Sequence, residues 1–185
     1  MNETQQATRT PSDSASADAP SGAPERAPVQ GIEHWATKDG VRLFLWEKFV
    51  GTPEGKPVVL FVHGSSMASQ PTFDLHVPGR ADSSVMDWFA RRGFACVSVD
   101  MEGYGRSDKS RDIPCDIANG ADDLAAATQY LHQRRGVERV LAYGISSGAL
   151  RAALFAQRHP EGVARLALDA FVWTGEGAPT LEARR

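Results

Sequence analysis

From residue 58 onward, apolar positions fall into short continuous runs separated by longer stretches of helical spacing. Val58-Val59-Leu60-Phe61-Val62 is such a run, and Phe94-Ala95-Cys96-Val97-Ser98-Val99, Arg139 to Tyr143 and Val163 to Leu168 read as further strands. Unbroken apolar runs of this length suit strands covered on both faces of a parallel sheet. Between them, Ser83 can cap a helix through Arg92, with Val85, Met86, Trp88 and Phe89 as its apolar contacts and Gly93 after its end. Asp116 or Asn119 starts a second helix through Arg135, closed by Gly136, with Leu124, Ala127, Thr128 and Leu131 on one stripe. Ser147 to Arg158 reads as a third helix, rich in alanine for close approach to a sheet, and Pro160 discourages its continuation. Upstream, the β-rich segments Ile32 to Thr37 and Val41 to Phe49 flank Lys38-Asp39-Gly40, a hairpin signal. Strands alternating with helices after a hairpin predict the α/β class: a mostly parallel sheet of six strands, helices on both faces, right-handed crossovers and function at the carboxyl edge of the strands.

Composition narrows the picture. The chain has 185 residues, 42% of them hydrophobic, which suits one globular core. Net charge is −3 and the basic residues form no patch, so nucleic acid is not an expected partner. Cys96 and Cys115 have neither metal nor redox spacing and read as reduced thiols. Residues 1–30 carry few large apolar side chains and read as a disordered leader without the apolar run of a secretory signal. No stretch approaches the roughly 20 apolar residues of a membrane span, so a cytoplasmic protein without membrane contact is expected.

The chemistry gathers where strands end. In Gly144-Ile145-Ser146-Ser147-Gly148, one serine stands between two glycines at a strand-to-helix corner. Such a corner crowds its neighbours, so the positions two before and two after must be nearly free of side chain, and the serine is presented as a nucleophile. The start of the following helix aims the N–H of Ser147 at a developing oxyanion. His63-Gly64-Ser65 follows an earlier strand, and its glycine lets the backbone expose the N–H of Ser65 to the same point. A third turn, Asp100 to Ser107, follows the strand between them.

Together these motifs resemble the α/β-hydrolase family over roughly residues 32 to 173. The matching residues are His63-Gly64-Ser65 as the oxyanion turn, Asp100-Met101-Glu102-Gly103-Tyr104-Gly105-Arg106-Ser107 as the D-x-x-G-x-G-x-S turn, and Gly144 to Gly148 as the nucleophile elbow. The resemblance implies the hydrolase fold, with 31–173 as a partial core cut short after the sixth strand, and structural roles for His63 and Asp100. Residues 174–185 resemble the start of a cap or lid, or a disordered tail. In the family the order is serine, acid, then a late histidine, whereas every histidine except His159 precedes Ser146 here. His159 stands at a helix end beside Pro160, suited to capping, so none matches the family's base. Asp169, ending the sixth strand, is a possible triad acid or the cap of the next turn. The long connection Gly64 to Asp82 can line a substrate pocket or form a surface loop packed on its own side chains, with Met67, Phe73, Leu75 and Val77 apolar and Gln70, Asp74, His76 and Arg80 polar.

The expected function is hydrolysis of an ester-like small molecule, whether carboxylic ester, lactone or thioester, through an acyl-serine on Ser146, poorly active without a base. No metal or organic cofactor is implied. The competing expectation is a non-catalytic remnant of the fold that binds a ligand or partner. An apolar sixth strand left at an edge also predicts self-association.

Overall fold

The computed structural model describes residues 27–172 together with 177 and 179, so the expected leader (apart from residues 27–30) and most of the 174–185 tail lie outside the described residues. Two strands, β1 (Val29–Lys38) and β2 (Val41–Val50), pair antiparallel along their whole length. Asp39 and Gly40 take positive φ, 49° and 81°, as the two central residues of a type I′ hairpin turn do. β1 starts three positions before Ile32 because β2 extends to Val50 and offers partners to Val29 and Gln30. The polar Gln30 and the small Gly31 hide that extension in the sequence.

There follow β3 (Val58–Val62), α1 (Ser69–Phe73), α2 (Val85–Ala90), β4 (Ala95–Val99), α3 (Ile117–Arg135), β5 (Val140–Ile145), α4 (Ser147–Arg158), a 3₁₀ turn over Pro160–Gly162 and β6 (Val163–Asp169). The six strands form one sheet in the order β1-β2-β4-β3-β5-β6. β4, β3, β5 and β6 are parallel neighbours, and only the β1–β2 and β2–β4 pairs are antiparallel. All residues of β3 and β4 are buried, which is why both read as unbroken apolar runs. α3 and α4 cover one face through Leu124, Ala127, Leu131, Ala152 and Phe155, while α1 and α2 cover the other through Phe73, Met86 and Ala90. Each large apolar side chain buried this way contributes roughly 1.5–3 kcal/mol.

Helix ends differ from the sequence reading where neighbouring residues compete for one role. α2 is capped by Ser84, whose hydroxyl accepts from the N–H of Asp87 at 3.0 Å. Ser83 instead accepts from the N–H of Val77 at 2.9 Å and holds the preceding loop. α3 begins at Asp116 rather than Asn119, the carboxylate accepting from the N–H of Asn119 at 2.8 Å, and Gly136 closes it in the left-handed region. α1 is a single turn inside the long connection after β3, too short to show periodicity.

β3 is flanked by β4 on one side and by β5 on the other, so the chain reverses its direction of winding there. A crevice opens at such a point outside the carboxyl ends of the strands. His63, Asp100, Ser146 and Asp169 stand at those ends, after or at the close of β3, β4, β5 and β6.

Candidate active site

Ser146 lies between β5 and α4 with φ 57° and ψ −126°, outside the regions open to ordinary side chains. The surrounding glycines hold it there. A Cβ on Gly144 would lie 2.4 Å from the carbonyl oxygen of Gly148, and one on Gly148 would lie 2.2 Å from that of Val62. The corner closes only if both positions lack side chains. The N–H of Ser146 donates to the carbonyl of Asp169 at 2.9 Å, tying the corner to β6, while Ser146 itself is solvent-exposed. Ser147 is the first residue of α4, where a main-chain N–H has no partner inside the helix. Its hydroxyl is buried and unbonded among the described residues.

The turn after β3 backs directly onto this corner. A Cβ on Gly64 would stand 3.2 Å from Cβ and 3.6 Å from Oγ of Ser146, so glycine is what allows the close approach. His63 is fully buried and fixes the turn's peptide plane. The N–H of Met101 donates to Nε2 of His63 at 3.1 Å, which leaves Nδ1 as the protonated nitrogen, donating to the carbonyl of Gly64 at 2.6 Å. In a trans peptide the N–H opposes the C=O, so the N–H of Ser65 points away from the imidazole. Burial keeps the imidazole neutral by pulling its pKa below the ordinary value.

Asp100 organises the neighbouring loop. Its carboxylate accepts from the N–H and hydroxyl of Ser69 at 2.8 and 2.6 Å and from the N–H of Arg106 at 2.9 Å. The Ser107 hydroxyl donates to the Asp100 carbonyl at 2.5 Å and accepts from the N–H of Phe44 at 2.8 Å. Asp100 is therefore bonded into the loop, as the resemblance implies. Glu102, in the same turn, is held by Arg111 at 2.7 and 2.5 Å and approaches Lys38 at 3.2 Å. The Arg111 bond lowers its pKa to about 2.

Arg151 was not singled out by the sequence. It is 2% exposed, donates to the carbonyl of His63 at 3.1 Å and to that of Cys115 at 3.4 Å, and lies 5.6 Å from the Tyr104 ring. It links α4 to the turn before Ser65. A Cβ on Gly120 would meet its Cδ at 2.4 Å, so α3 makes room for it. The visible signal is an arginine one turn after Ser147 on the helix face that Gly148, Ala152 and Phe155 bury.

The connection from Gly64 to Asp82 turns several of its candidate pocket residues inward. Phe73 packs on Phe61 at 5.0 Å and on Tyr143 at 6.0 Å. Asp74 accepts from Trp46 at 2.8 Å, Lys48 at 2.7 Å and Ser84 at 2.5 Å, so the pocket role read for Phe73 and Asp74 gives way to an anchoring one. Met67, Leu75 and Val77 remain exposed. Asp74, His76 and Asp87 bring potential ligand atoms within 4.8 Å of one another, but the Lys48 ammonium bonds both aspartates and already supplies the positive charge.

Among the described residues no histidine is hydrogen-bonded to Ser146. His34 bonds Glu47 at 2.8 Å and Tyr130 at 3.1 Å, His76 bonds Asp74 at 3.1 Å, and His159 forms the C-cap of α4. The Asp169 carboxylate accepts from the Tyr143 hydroxyl at 2.7 Å. Burial, reinforced by that carboxylate, pushes the Tyr143 pKa up to about 12. A cavity of about 310 Å³ between the ends of α3 and α4, lined by His132, Phe155 and His159, lies at the opposite edge of the sheet from Ser146.

The described residues thus set a strained serine corner against a histidine-braced glycine turn. A family model described as alpha/beta hydrolase fold matches residues 57–183. The chain belongs to the alpha/beta hydrolase family. A bifunctional esterase/perhydrolase of Acinetobacter calcoaceticus is 32% identical over 124 residues, covering 67% of this chain and 38% of that protein. A probable proline iminopeptidase of Streptomyces coelicolor is 33% identical over 143 residues, 76% of this chain and 39% of its own length. This member of the family thus spans less than two fifths of either relative. Among solved structures, a bacterial membrane phospholipase A superposes with TM-score 0.57 at 27% identity, over 74% of this chain and 38% of that one. A predicted CIB-like hydrolase from Thermoplasma acidophilum, at TM-score 0.59 and 20% identity over 75% and 62% of the two chains, shares the hydrolase fold. No helix among the described residues is long and apolar enough to cross a membrane.

Proposed function

We propose that the chain carries the nucleophile half of a serine hydrolase acting on an ester-like small molecule, a carboxylic ester, lactone or thioester. Ser146 attacks the carbonyl, the N–H groups of Ser65 and Ser147 hold the oxyanion, and an acyl-serine forms. The observation that supports it most is the exposed Ser146 at φ 57°, with Gly64 packed against its hydroxyl side. A strained side chain of this kind persists only where surrounding structure over-determines it, and such strain concentrates at reactive sites. The esterase among the relatives supports the substrate class, and the iminopeptidase keeps amide substrates as the neighbouring class to compare. The proton acceptor in this reading is a histidine other than the five of this chain. Asp169 is retained as the possible triad acid, its carboxylate shared with Tyr143.

A second reading is favoured by the histidine arrangement alone: the chain binds a ligand or partner without turnover. An oxyanion hole without a base still supplies about 10³–10⁴ over water, so the two readings differ in reactivity at one atom. The test is labelling of the folded chain by a fluorophosphonate, with the adduct mapped by mass spectrometry. Modification at Ser146, lost in Ser146→Ala, supports the enzyme. A folded chain that resists the reagent both alone and with imidazole added as an external base, while binding a small molecule or partner tightly, sinks it.

A further inference from the structure

Gly64 is what lets the turn after β3 lie against Ser146, but a residue without a side chain does little to fix its own backbone angles. Two peptide planes meet there. The first carries the carbonyl of His63, and the second carries the carbonyl of Gly64 with the N–H of Ser65 on its opposite side. The angles at Gly64 relate the two planes, so the N–H of Ser65 keeps one direction only if both planes are held from outside. The imidazole of His63 holds the second, its Nδ1–H donating to the carbonyl of Gly64 at 2.6 Å. The guanidinium of Arg151 holds the first, donating to the carbonyl of His63 at 3.1 Å.

This arginine is an unusual tenant of a core. It is 2% exposed, forms no ion pair among the described residues and leaves its Nε unbonded there. A buried cation without a partner anion destabilises a fold. Two glycines nevertheless admit it. Gly120 of α3 leaves space for its side chain, and Gly148, three positions earlier on the same face of α4, lets the helix approach His63. A Cβ at 148 would lie 2.5 Å from the carbonyl oxygen that Arg151 bonds. With no carboxylate to claim them, its donors go to backbone carbonyls, that of His63 and, at 3.4 Å, that of Cys115. The Tyr104 ring, 4.8 Å from the His63 imidazole and 5.6 Å from the guanidinium, packs beside both pins.

We propose that Arg151 is a positioning residue of the oxyanion hole, pinning the His63–Gly64 peptide so that the N–H of Ser65 faces the substrate oxygen on which negative charge develops. The inference rests on the serine-hydrolase reading of Ser146. It differs from a plain strut between α4 and the loop before α3, which would lower stability and leave the reactivity of folded molecules unchanged.

Two measurements on the 185-residue chain separate these roles: the rate of Ser146 labelling by a fluorophosphonate with imidazole as external base, and the NMR order parameter of the Ser65 N–H. Circular dichroism and the urea midpoint establish that each variant folds. Arg151→Met, and Arg151→Gln, whose amide is two bonds too short for the His63 carbonyl, should each slow labelling by about tenfold to a hundredfold, the scale of a misplaced donor. In both, the Ser65 order parameter should fall from roughly 0.85, the value of rigid backbone, toward about 0.6. Arg151→Lys, which keeps a charged donor of similar reach, should recover much of both. Arg158→Met, at the far end of the same helix, should change neither. A folded Met or Gln variant that labels as fast as the parent overturns the inference and leaves the hydrolase reading standing. So does a loss that lysine fails to reduce, or one with the Ser65 order parameter unmoved. A parent chain that resists the reagent even with imidazole sinks the hydrolase reading, and this inference with it.

Discussion

At the corner between β5 and α4, the stereochemistry of single residues controls what the chain can do. Gly64 stands so close to Ser146 that a methyl group must push the turn or the serine aside. Gly64→Ala should therefore slow labelling of Ser146 by about two to three decades, the effect of losing one oxyanion donor, with little change in the urea midpoint. The buried, unbonded hydroxyl of Ser147 behaves differently. Removing it in Ser147→Ala leaves the backbone donor in place and ends an uncompensated desolvation, so stability in urea should hold or rise by about 1 kcal/mol. His63 contributes a pH dependence. Its pKa is depressed in the folded chain relative to the ordinary 6.5, so its contribution is full above 6.5 and is lost as pH falls toward the folded value. Unfolding free energy measured from pH 8 to 5 should decline below about 6.5, and His63→Gln should flatten that part of the curve. These positions were legible because glycine is the rare residue such geometry tolerates. Phe73 and Asp74 were not, since what decides their orientation is Phe61, Lys48 and Trp46, which are remote in sequence.

Secondary elements were readable in proportion to their length and burial. β3 and β4, buried throughout, announced themselves as apolar runs, and α3 showed its stripe over 19 residues. α1, a five-residue turn, had no period to detect, and the start of α2 shifted by one because Ser83 and Ser84 are equivalent until the loop takes one of them. The cap of α3 is a discriminating case. Asp116→Ala removes the acceptor of the Asn119 N–H and should cost about 1 kcal/mol in chemical denaturation, whereas Asp116→Asn, which keeps an N-cap acceptor, should lose only a fraction of that.

For the molecule as a whole, alternation of strands and helices pointed to the parallel sheet, but the order of strands was not written in any local pattern. Ion pairs that join distant segments were equally hidden. Lys38 of β1 meets Asp123 of α3 and Glu102 of the loop after β4, and Arg135 of α3 meets Glu47 of β2. Glu102 carries a testable share of this. Its pKa is lowered to about 2, so the stability it brings is present above the ordinary 4.5 and is lost as pH falls toward the folded value. Acid unfolding should begin at higher pH in Arg111→Ala, which removes the main cause of that shift. The amide of Ser146 rests on the carbonyl of Asp169, so the reactive corner and β6 share one bond. Deuterium uptake at that single amide would then report on the seating of β6: whatever loosens the strand should quicken exchange at the nucleophile, and whatever clamps it from outside should quiet it.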